Sequence, residues 1–328
     1  MKSARRVLTL LLIGTAGMAW LGRGYWAPGQ SREGQPGPRP ASSNGSGRDT
    51  QEPGQGSAEA MLQRAIIGLE RLRSLSATTR QRVDLLGVKL VGTGQYFEQR
   101  TAEGLDLRDL RLELNLQGER ASKLLQVCHG QYLWICRDKE PPVRIDVHRV
   151  NRALQDQGEV FELGRIGAWP GLGGLPKMLR GLHACFDFAS IDETQLGDQL
   201  PVYRLRGEWR PEKRARVLGG KAGGKGGAKP AAWDTFPQHL PHYVVLYLEK
   251  SGLFPRRLEC RRYAPRGSDN QSVKEDPILV SMDLFEVVLN APIDPGWFLF
   301  DSNDLEPADR TDWFLERSGL KKRRTDQP

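Results

Sequence analysis

A hairpin with two apolar faces is the sequence feature that most limits how this chain can fold. Residues 122–138 read SKLLQVCHGQYLWICRD, with His129-Gly130 between two runs of β-prone residues, the pattern of a two-residue hairpin turn. Both faces of such a hairpin are largely apolar, so each must be covered by another part of the chain. The pairs expected from this turn are Val127–Tyr132 and Leu125–Trp134 on one face, with Leu124–Ile135 and Gln126–Leu133 on the other.

Other segments extend this hairpin into a larger sheet. Leu110, Leu112, Leu114 and Leu116 alternate with polar residues, which predicts a half-buried strand. Because the strands follow one another with few helices between them, we expect a large, meandering, mostly antiparallel sheet of the α+β class. Further strands are predicted at Val88–Gln99, Leu200–Glu208, Tyr243–Glu249, Arg257–Tyr263 and Ile278–Leu289.

Three helices are candidates to cover the sheet. Ser57 is a suitable N-cap for a helix that continues to about Leu75 with one apolar face. Asp146 is predicted to cap a short helix, and Pro176 stands at the start of another, where its missing N–H is tolerated.

The N-terminal region differs in composition from the rest. Lys2, Arg5 and Arg6 precede an apolar run ending at Leu21, and at ~1.5 Å per residue this run reaches about 22 Å, short of a ~30 Å bilayer core. Residues 1–21 are predicted to be a signal peptide or an N-terminal anchor in the inner membrane. Both alternatives export the remainder. Residues 22–56 are rich in Gly, Pro, Ser and Gln, which predicts a disordered linker.

Charge is concentrated outside the expected folded body. One domain is predicted over residues 57–320, with a low-complexity basic loop at 210–232 and a basic tail at 321–328. The formal net charge of the chain is +8. Residues 1–56, 210–230 and 317–328 together carry +14, so the remainder carries about −6. A nucleic-acid-binding face needs Lys and Arg fixed on one surface. The sequence therefore argues against nucleic acid as a partner.

Signals for catalysis or metal binding are poor. Residues 219–225 match the opening of a phosphate-binding loop, but Gly226 stands where Ser or Thr would hold magnesium. His239 and His242 flank Pro241 and lack a third ligand. No nucleophile elbow, zinc-protease helix or Cys-His signature is present in the sequence. We therefore predict no enzymatic activity, no catalytic residues, no metal and no cofactor.

The four cysteines do not follow a metal-binding spacing. The expected hairpin places Cys136 opposite Lys123, away from Cys128, so these two are not expected to form a disulfide. A Cys185–Cys260 disulfide remains open beside the alternative of isolated buried thiols.

Two interpretations fit the excess of apolar residues on the sheet. In one, helices and a further layer cover both faces, which gives a solid core. In the other, a concave face and its helices enclose an apolar cavity for a lipid or acyl chain. The residue pattern by itself favours the solid core.

The order of features resembles the LolA-like family of periplasmic lipoprotein carriers, with their LppX and LolB relatives. The HGQYLW stretch at 129–134 is similar to that family's D-G-x-x-L-W hairpin, with His129 in place of Asp, and VVLYLEKSGLFPRRL at 244–258 resembles its later strand–turn–strand. The similarity covers roughly residues 58–138 and 243–301. It implies a strongly curved antiparallel sheet, an open half-barrel lidded by a few helices over an apolar cavity. Residues 139–242 depart most from the family pattern.

The resemblance leads to the hypothesis of a periplasmic carrier that binds a lipid or the acyl chains of a lipoprotein. One alternative is a tethered structural or protein-interaction domain with a solid core, whose basic loop contacts acidic envelope proteins. A second alternative is a hydrolase built on the same scaffold. The residues expected to line the cavity are Leu110, Leu112, Leu114, Tyr132 and Trp134.

Overall fold

The computed structural model describes most of the chain that follows the predicted linker. The segments predicted as signal peptide or anchor (1–21), linker (22–56) and basic tail (321–328) lie outside the described residues, as does the larger part of the predicted basic loop. The first residues of that loop, Pro211–Val217, form a short helix. The described ranges are 57–101, 108–118, 121–138, 140–156, 172–197, 199–218, 236–264, 275–301, 306–317 and residue 320.

One sheet of twelve strands runs through these ranges, in the order β12-β6-β5-β4-β3-β2-β1-β11-β10-β9-β8-β7. Neighbouring strands are antiparallel, as in the β1–β2 and β1–β11 pairs, except that β12 runs parallel to β6. The predicted α+β class with a large, mostly antiparallel sheet is confirmed. The strands are β1 (Ser74–Leu85), β2 (Val88–Arg100), β3 (Arg108–Gln117), β4 (Ser122–His129), β5 (Tyr132–Arg137), β6 (Val143–Asp146), β7 (Phe186–Leu196), β8 (Leu200–Trp209), β9 (Tyr243–Glu249), β10 (Pro255–Arg261), β11 (Ile278–Leu289) and β12 (Ala308–Asp309).

The helices begin where the sequence indicated. Ser57 caps the first helix, since its hydroxyl accepts a hydrogen bond from the amide of Ala60 at 3.2 Å, and Asp146 caps the second by accepting from the amide of Arg149 at 2.9 Å. The first helix is shorter than predicted, because residues from Ser74 onward join β1. The α-helices are α1 (Ala58–Arg71), α2 (Val147–Asp156), α3 (Gly174–Cys185), α4 (Pro211–Val217) and α5 (Thr311–Arg317), and a 3₁₀ helix covers Pro295–Phe298.

The sheet curves towards α1 and α3. The amide of Leu175, in the first turn of α3, donates to Oε2 of Glu98 on β2 at 3.0 Å, whereas the last residue of α3 is followed directly by β7. Six strand spacings separate β2 from β7, a path of ~29 Å in a flat sheet. The 12 residues of α3 span only ~18 Å. The sheet must therefore bend so that the helix and the Glu98 side chain bridge the two strands.

Strand alternation defines an inner face towards the helices and an outer face away from them. Leu110, Leu112 and Leu114 on β3 pair with Cys128, Gln126 and Leu124 on β4, and all six lie on the inner face. These inner leucines belong to one continuous core with the buried sides of α1 and α3. The apolar core therefore lies between the concave side of the sheet and the helices.

The hairpin has the predicted faces but a different pairing. Val127 pairs with Trp134 and Gln126 with Ile135, so the turn residues are Gly130-Gln131 instead of His129-Gly130. The predicted partners were therefore wrong by two residues, and Cys136 lies opposite Leu125 instead of Lys123. Gly130 has φ +55°, a conformation that glycine adopts without strain. Because the shift is by two residues, every side chain stays on its predicted face.

The outer face of this half of the sheet is covered by the segment around the 3₁₀ helix. Trp297 packs against Phe97, with ring centroids 4.8 Å apart, and its carbonyl accepts from Nη1 of Arg111 at 2.9 Å. Phe298 is buried, whereas Trp297 and Leu299 are exposed. The segment thus covers part of an apolar face that the hairpin leaves open.

Candidate ligand-binding face

Three of the five predicted lining residues lie together on the inner face. Leu110, Leu112 and Leu114 occupy alternate positions of β3 and are 1%, 3% and 3% exposed. They share a core with Leu69 of α1 and Leu179 of α3. These leucines are therefore in contact with the layer that the helices cover.

The other two predicted residues lie on the opposite face. Trp134 pairs with Val127, which alternates with the inward-facing Gln126 and Cys128, so its ring points away from the helices. It stacks on Phe300 with centroids 5.8 Å apart, and Tyr132 lies under the guanidinium of Arg144 at 5.2 Å. The structure thus does not bring Tyr132 and Trp134 together with the three leucines.

A second group of apolar side chains continues the inner face beyond the fully buried core. Val83 on β1 pairs with Val280 on β11, and Met282 pairs with Leu258 on the next strand. Val83, Val280 and Met282 are half-buried, unlike the leucines of β3. We call this group the half-buried strip; its members are Val83, Ile191, Tyr203, Val280 and Met282.

A buried polar network fastens two helices to the inner face, and we call it the polar latch. Nη1 of Arg108 lies 2.7 Å from Oε1 of Glu98, and the two side chains are 4% and 2% exposed. Nη2 of Arg108 donates to the carbonyls of Leu69 and Glu70 at the end of α1, both at 3.0 Å. Oε2 of Glu98 accepts from the amide of Leu175 in α3 at 3.0 Å. The latch thus ties the end of α1 and the start of α3 to β2 and β3.

Burial governs the protonation of the latch. Loss of hydration raises the pKa of the Glu98 carboxyl from its usual value, against the opposing effects of Arg108, Tyr96 and the Leu175 amide. The hydroxyl of Tyr96 donates to Oε2 of Glu98 at 2.5 Å, and burial raises the pKa of that phenol well above its usual value. The latch is a neutral ion pair with its donors directed at one carboxylate, which suits fastening of helices better than proton transfer to a substrate.

A second polar junction holds the start of α1. Oε1 of Glu59 lies 2.6 Å from Nε2 of His183 on α3 and accepts from Nη2 of Arg210 at 2.8 Å. The junction and the latch together attach both ends of α1 to the elements around it.

Sequence reasoning missed the latch although a signal was present. Arg108 continues the inward series of Leu110, Leu112 and Leu114, and Glu98 occupies the next inward position after Tyr96 on β2. A charged residue on the apolar side of an alternating strand must find a partner when buried. That signal identifies the positions but leaves open which helix atoms they bind.

The described part of the chain contains no group of three or more His, Cys, Asp or Glu side chains arranged to hold a metal ion. Asp283 is buried and paired with Arg80 and Arg257. Cys128, Cys136, Cys185 and Cys260 are free thiols, so the Cys185–Cys260 disulfide left open by the sequence is not formed. No helix among the described residues is long and apolar enough to cross a bilayer.

Comparison with known proteins gives structural matches at low sequence identity. No protein-family model and no curated protein matches the chain. An uncharacterized conserved protein from Thermus thermophilus is 12% identical with a TM-score of 0.40, and the match covers 77% of this chain and 99% of that one. LprF from Mycobacterium bovis is 10% identical, with a TM-score of 0.32 and coverage of 73% and 97%.

Lipoprotein LppX from Mycobacterium tuberculosis is likewise 10% identical, with a TM-score of 0.36 over 72% of this chain and 97% of that chain. These three proteins are thus similar to this chain in structure, at 10–12% sequence identity.

Proposed function

We propose that this protein is a non-enzymatic carrier of the bacterial envelope that binds a lipid, or the acyl chains of a lipoprotein, between the inner face of its sheet and helices α1 and α3. The half-buried strip is the observation that carries the proposal. A solid core closed on all sides would bury Val280 and Met282 as fully as Leu112, yet they stay partly open to solvent. Their apolar surface continues directly into the core.

The energetics suit an acyl ligand. Removing apolar surface from water contributes ~25 cal/mol per Å², so sheltering a few hundred Å² of acyl chain contributes on the order of 5–10 kcal/mol. The acyl chain of the ligand would first contact the half-buried strip. Leu110, Leu112 and Leu114 are 1–3% exposed, so contact with them requires α1 and α3 to move outward.

The polar latch opposes the outward movement of α1 and α3. Arg108 binds the end of α1 and Glu98 binds the start of α3, so outward movement of the helices breaks hydrogen bonds to buried charged groups. Such bonds contribute roughly 1.5–3 kcal/mol each. In this proposal the latch keeps the apolar face covered until acyl contacts compensate for its opening.

The proposed location is outside the cytoplasm, in the periplasm. It rests on the basic and apolar pattern of residues 1–21, read as a signal peptide or an inner-membrane anchor. Envelope proteins that deliver or receive the ligand are the proposed partners, and nucleic acid is not.

Native mass spectrometry of protein purified from membranes tests the carrier proposal, together with titration of a fluorescent phospholipid. The wild type should carry co-purified lipid and bind the probe. Met282→Asp, in the half-buried strip, should weaken binding at least about tenfold, because a charge there must be desolvated against an acyl chain. Val288→Asp is the matched control, since Val288 lies on the same strand and is 49% exposed. A wild type that neither carries nor binds lipid would overturn the proposal.

The tethered interaction domain is the second candidate, and the near-complete burial of Leu110, Leu112 and Leu114 favours it. It predicts a ligand-free protein whose partner capture is lost when residues 213–229 are deleted. Lipid bound in the wild type, with partner capture unaffected by that deletion, would exclude it.

A further inference from the structure

Gln126 places an unpaired polar atom in the apolar inner face. It lies on β4 between Leu112 of β3 and Ile135 of β5 and is 2% exposed. Its Oε1 is buried and has no hydrogen-bond partner among the described residues. Buried acceptors in folded proteins are nearly always paired, so an unpaired amide oxygen at this position indicates a group that is supplied from outside the chain.

The polar groups of the latch, which lie on the same face, are all paired. Glu98 accepts from Arg108 on one oxygen and from Tyr96 and Leu175 on the other. Thr79, another inward-facing polar residue, donates to the carbonyl of Asp283 at 3.1 Å. Gln126 therefore differs from Glu98 and Thr79, whose side-chain oxygens have hydrogen-bond partners.

Arg137 is a second side chain on the same face with an unpaired polar atom. It pairs with Leu124 across β4 and β5, two residues from Gln126, which is a separation of ~7 Å along the strand. Its side chain is 10% exposed, and its ion pair with Glu140 is long at 3.6 Å, to a carboxylate that is 59% exposed. Its Nε is buried without a hydrogen-bond partner in the described structure, and burial lowers the pKa of this guanidinium from its usual value. A nearly buried cation with a free N–H suits an anionic oxygen.

We propose that Gln126 and Arg137 form the head-group subsite of the inner face, which selects an acyl lipid carrying an anionic phosphate next to a hydroxyl group. The phosphate accepts from Nε of Arg137, and the hydroxyl donates to Oε1 of Gln126. The acyl chains then lie over the leucines of β3. This inference deepens the proposed carrier function and rests on it.

Three dioleoyl lipids separate the two contacts. Phosphatidylglycerol has the phosphate and the hydroxyls, phosphatidylmethanol keeps the phosphate without a free hydroxyl, and dioleoylglycerol has a hydroxyl without the phosphate. The wild type should bind phosphatidylglycerol on the order of tenfold more tightly than either of the others, the difference expected for one buried hydrogen bond to a polar or charged group.

Two variants, each with one polar side chain replaced by an apolar side chain of similar length, then assign each lipid contact to its residue. Gln126→Met should bind phosphatidylglycerol and phosphatidylmethanol with equal affinity. Arg137→Met should lose the preference for phosphatidylglycerol over dioleoylglycerol. Thermal unfolding controls for folding, and Gln126→Met should be at least as stable as the wild type because it removes an unpaired buried oxygen.

The outcomes distinguish this inference from the carrier function. A wild type that binds all three lipids with equal affinity overturns the subsite and leaves the carrier proposal standing. Preferences that persist in Gln126→Met and Arg137→Met also overturn it, as expected if a buried water satisfies Gln126. A wild type that binds none of the three, and carries no lipid from the membrane, overturns both.

Discussion

The carboxylate of Glu98 and the guanidinium of Arg108 form a buried ion pair, with Oε1 2.7 Å from Nη1, at the point where the end of α1 meets the start of α3. An ion pair of this kind contributes less to stability than its geometry suggests, because both charges have lost their hydration. Its importance is that neither partner can be removed alone without leaving the other buried.

Arg108→Met should therefore destabilise the protein by about 3–5 kcal/mol, since it leaves the Glu98 carboxylate unpaired. Adding Glu98→Gln should recover at least ~1 kcal/mol, because the amide oxygen still accepts from Leu175 and no charge remains. Urea unfolding of the two single variants and the double variant measures the coupling. Arg204→Met is the control, as Arg204 and its partner Asp192 are 48% and 54% exposed and its loss should change stability by ~1 kcal/mol or less. Strictly additive effects of the two latch substitutions would contradict the prediction.

Position 174 requires glycine for two reasons: its backbone conformation and the closeness of the Glu98 side chain. It has φ +72°, and a Cβ there would lie 2.5 Å from Oε2 of Glu98. Gly87 has φ +80° with nothing within 4 Å of its Cβ position, so Gly87→Ala measures the backbone effect alone, about 1–3 kcal/mol. Gly174→Ala should cost more, since it also displaces Glu98. Equal losses in urea unfolding would show that Glu98 adjusts without penalty.

Stability should fall steeply at alkaline pH. Burial raises the pKa of the thiols of Cys128 and Cys260 from 9.0 to about 12. Above about pH 9 the unfolded chain loses these protons and the folded protein keeps them, so this contribution is complete below pH 9 and is lost as pH rises towards 12. Each thiol should add roughly 1.4 kcal/mol per pH unit to the slope.

The Cys128→Ala/Cys260→Ala variant isolates that effect. Its unfolding free energy, measured in urea with reductant between about pH 9 and pH 11, should decline less steeply than that of the wild type by roughly 2.8 kcal/mol per pH unit. The variant will be less stable at neutral pH, and only the slope is diagnostic. Parallel slopes would show that the thiols ionise in the folded state.

Two adjacent aromatic residues should differ sharply in their contribution to stability. Phe298 is 1% exposed and Trp297 is 44% exposed. Phe298→Ala should destabilise the protein by about 3–5 kcal/mol through a buried cavity, whereas Trp297→Ala should lose only ~1 kcal/mol from its packing on Phe97. Chemical denaturation of the two variants compares them directly. A larger loss at Trp297 would mean that the 3₁₀ segment is held mainly by its exposed ring.

Most of the correct predictions came from the alternation of side chains between the two faces of each strand. It placed Leu110, Leu112 and Leu114 on one face and separated Val127 from Gln126, as observed. It could not fix the turn of the hairpin, because Gly130 can occupy either position of a two-residue loop. It also could not relate the faces of two different strands, which is why Trp134 was grouped with the leucines although it lies on the opposite side of the sheet.

The features that were not predicted depend on contacts between residues that are distant in sequence. Arg108 reaches carbonyls 38 and 39 residues earlier, and Glu98 accepts from an amide 77 residues later. β7 was not predicted because only its first residues are buried, and exposed residues such as Asp192 and Glu193 lie along the rest of it. Its place in the sheet is set by its pairing with β8.

The junction between α3 and β7 determines how α3 can move in the proposed carrier. No linker separates Cys185 from Phe186, and the Cys185 carbonyl is held by the amide of Arg210 at 2.9 Å, so this end of the helix acts as a pivot. Leu175 lies ten residues away, ~15 Å along the axis, and a tilt of about 20° would swing it by roughly 5 Å. The Leu175 end, which Glu98 secures, would therefore move farthest, and in the proposed carrier it is the end at which a small rotation opens the inner face.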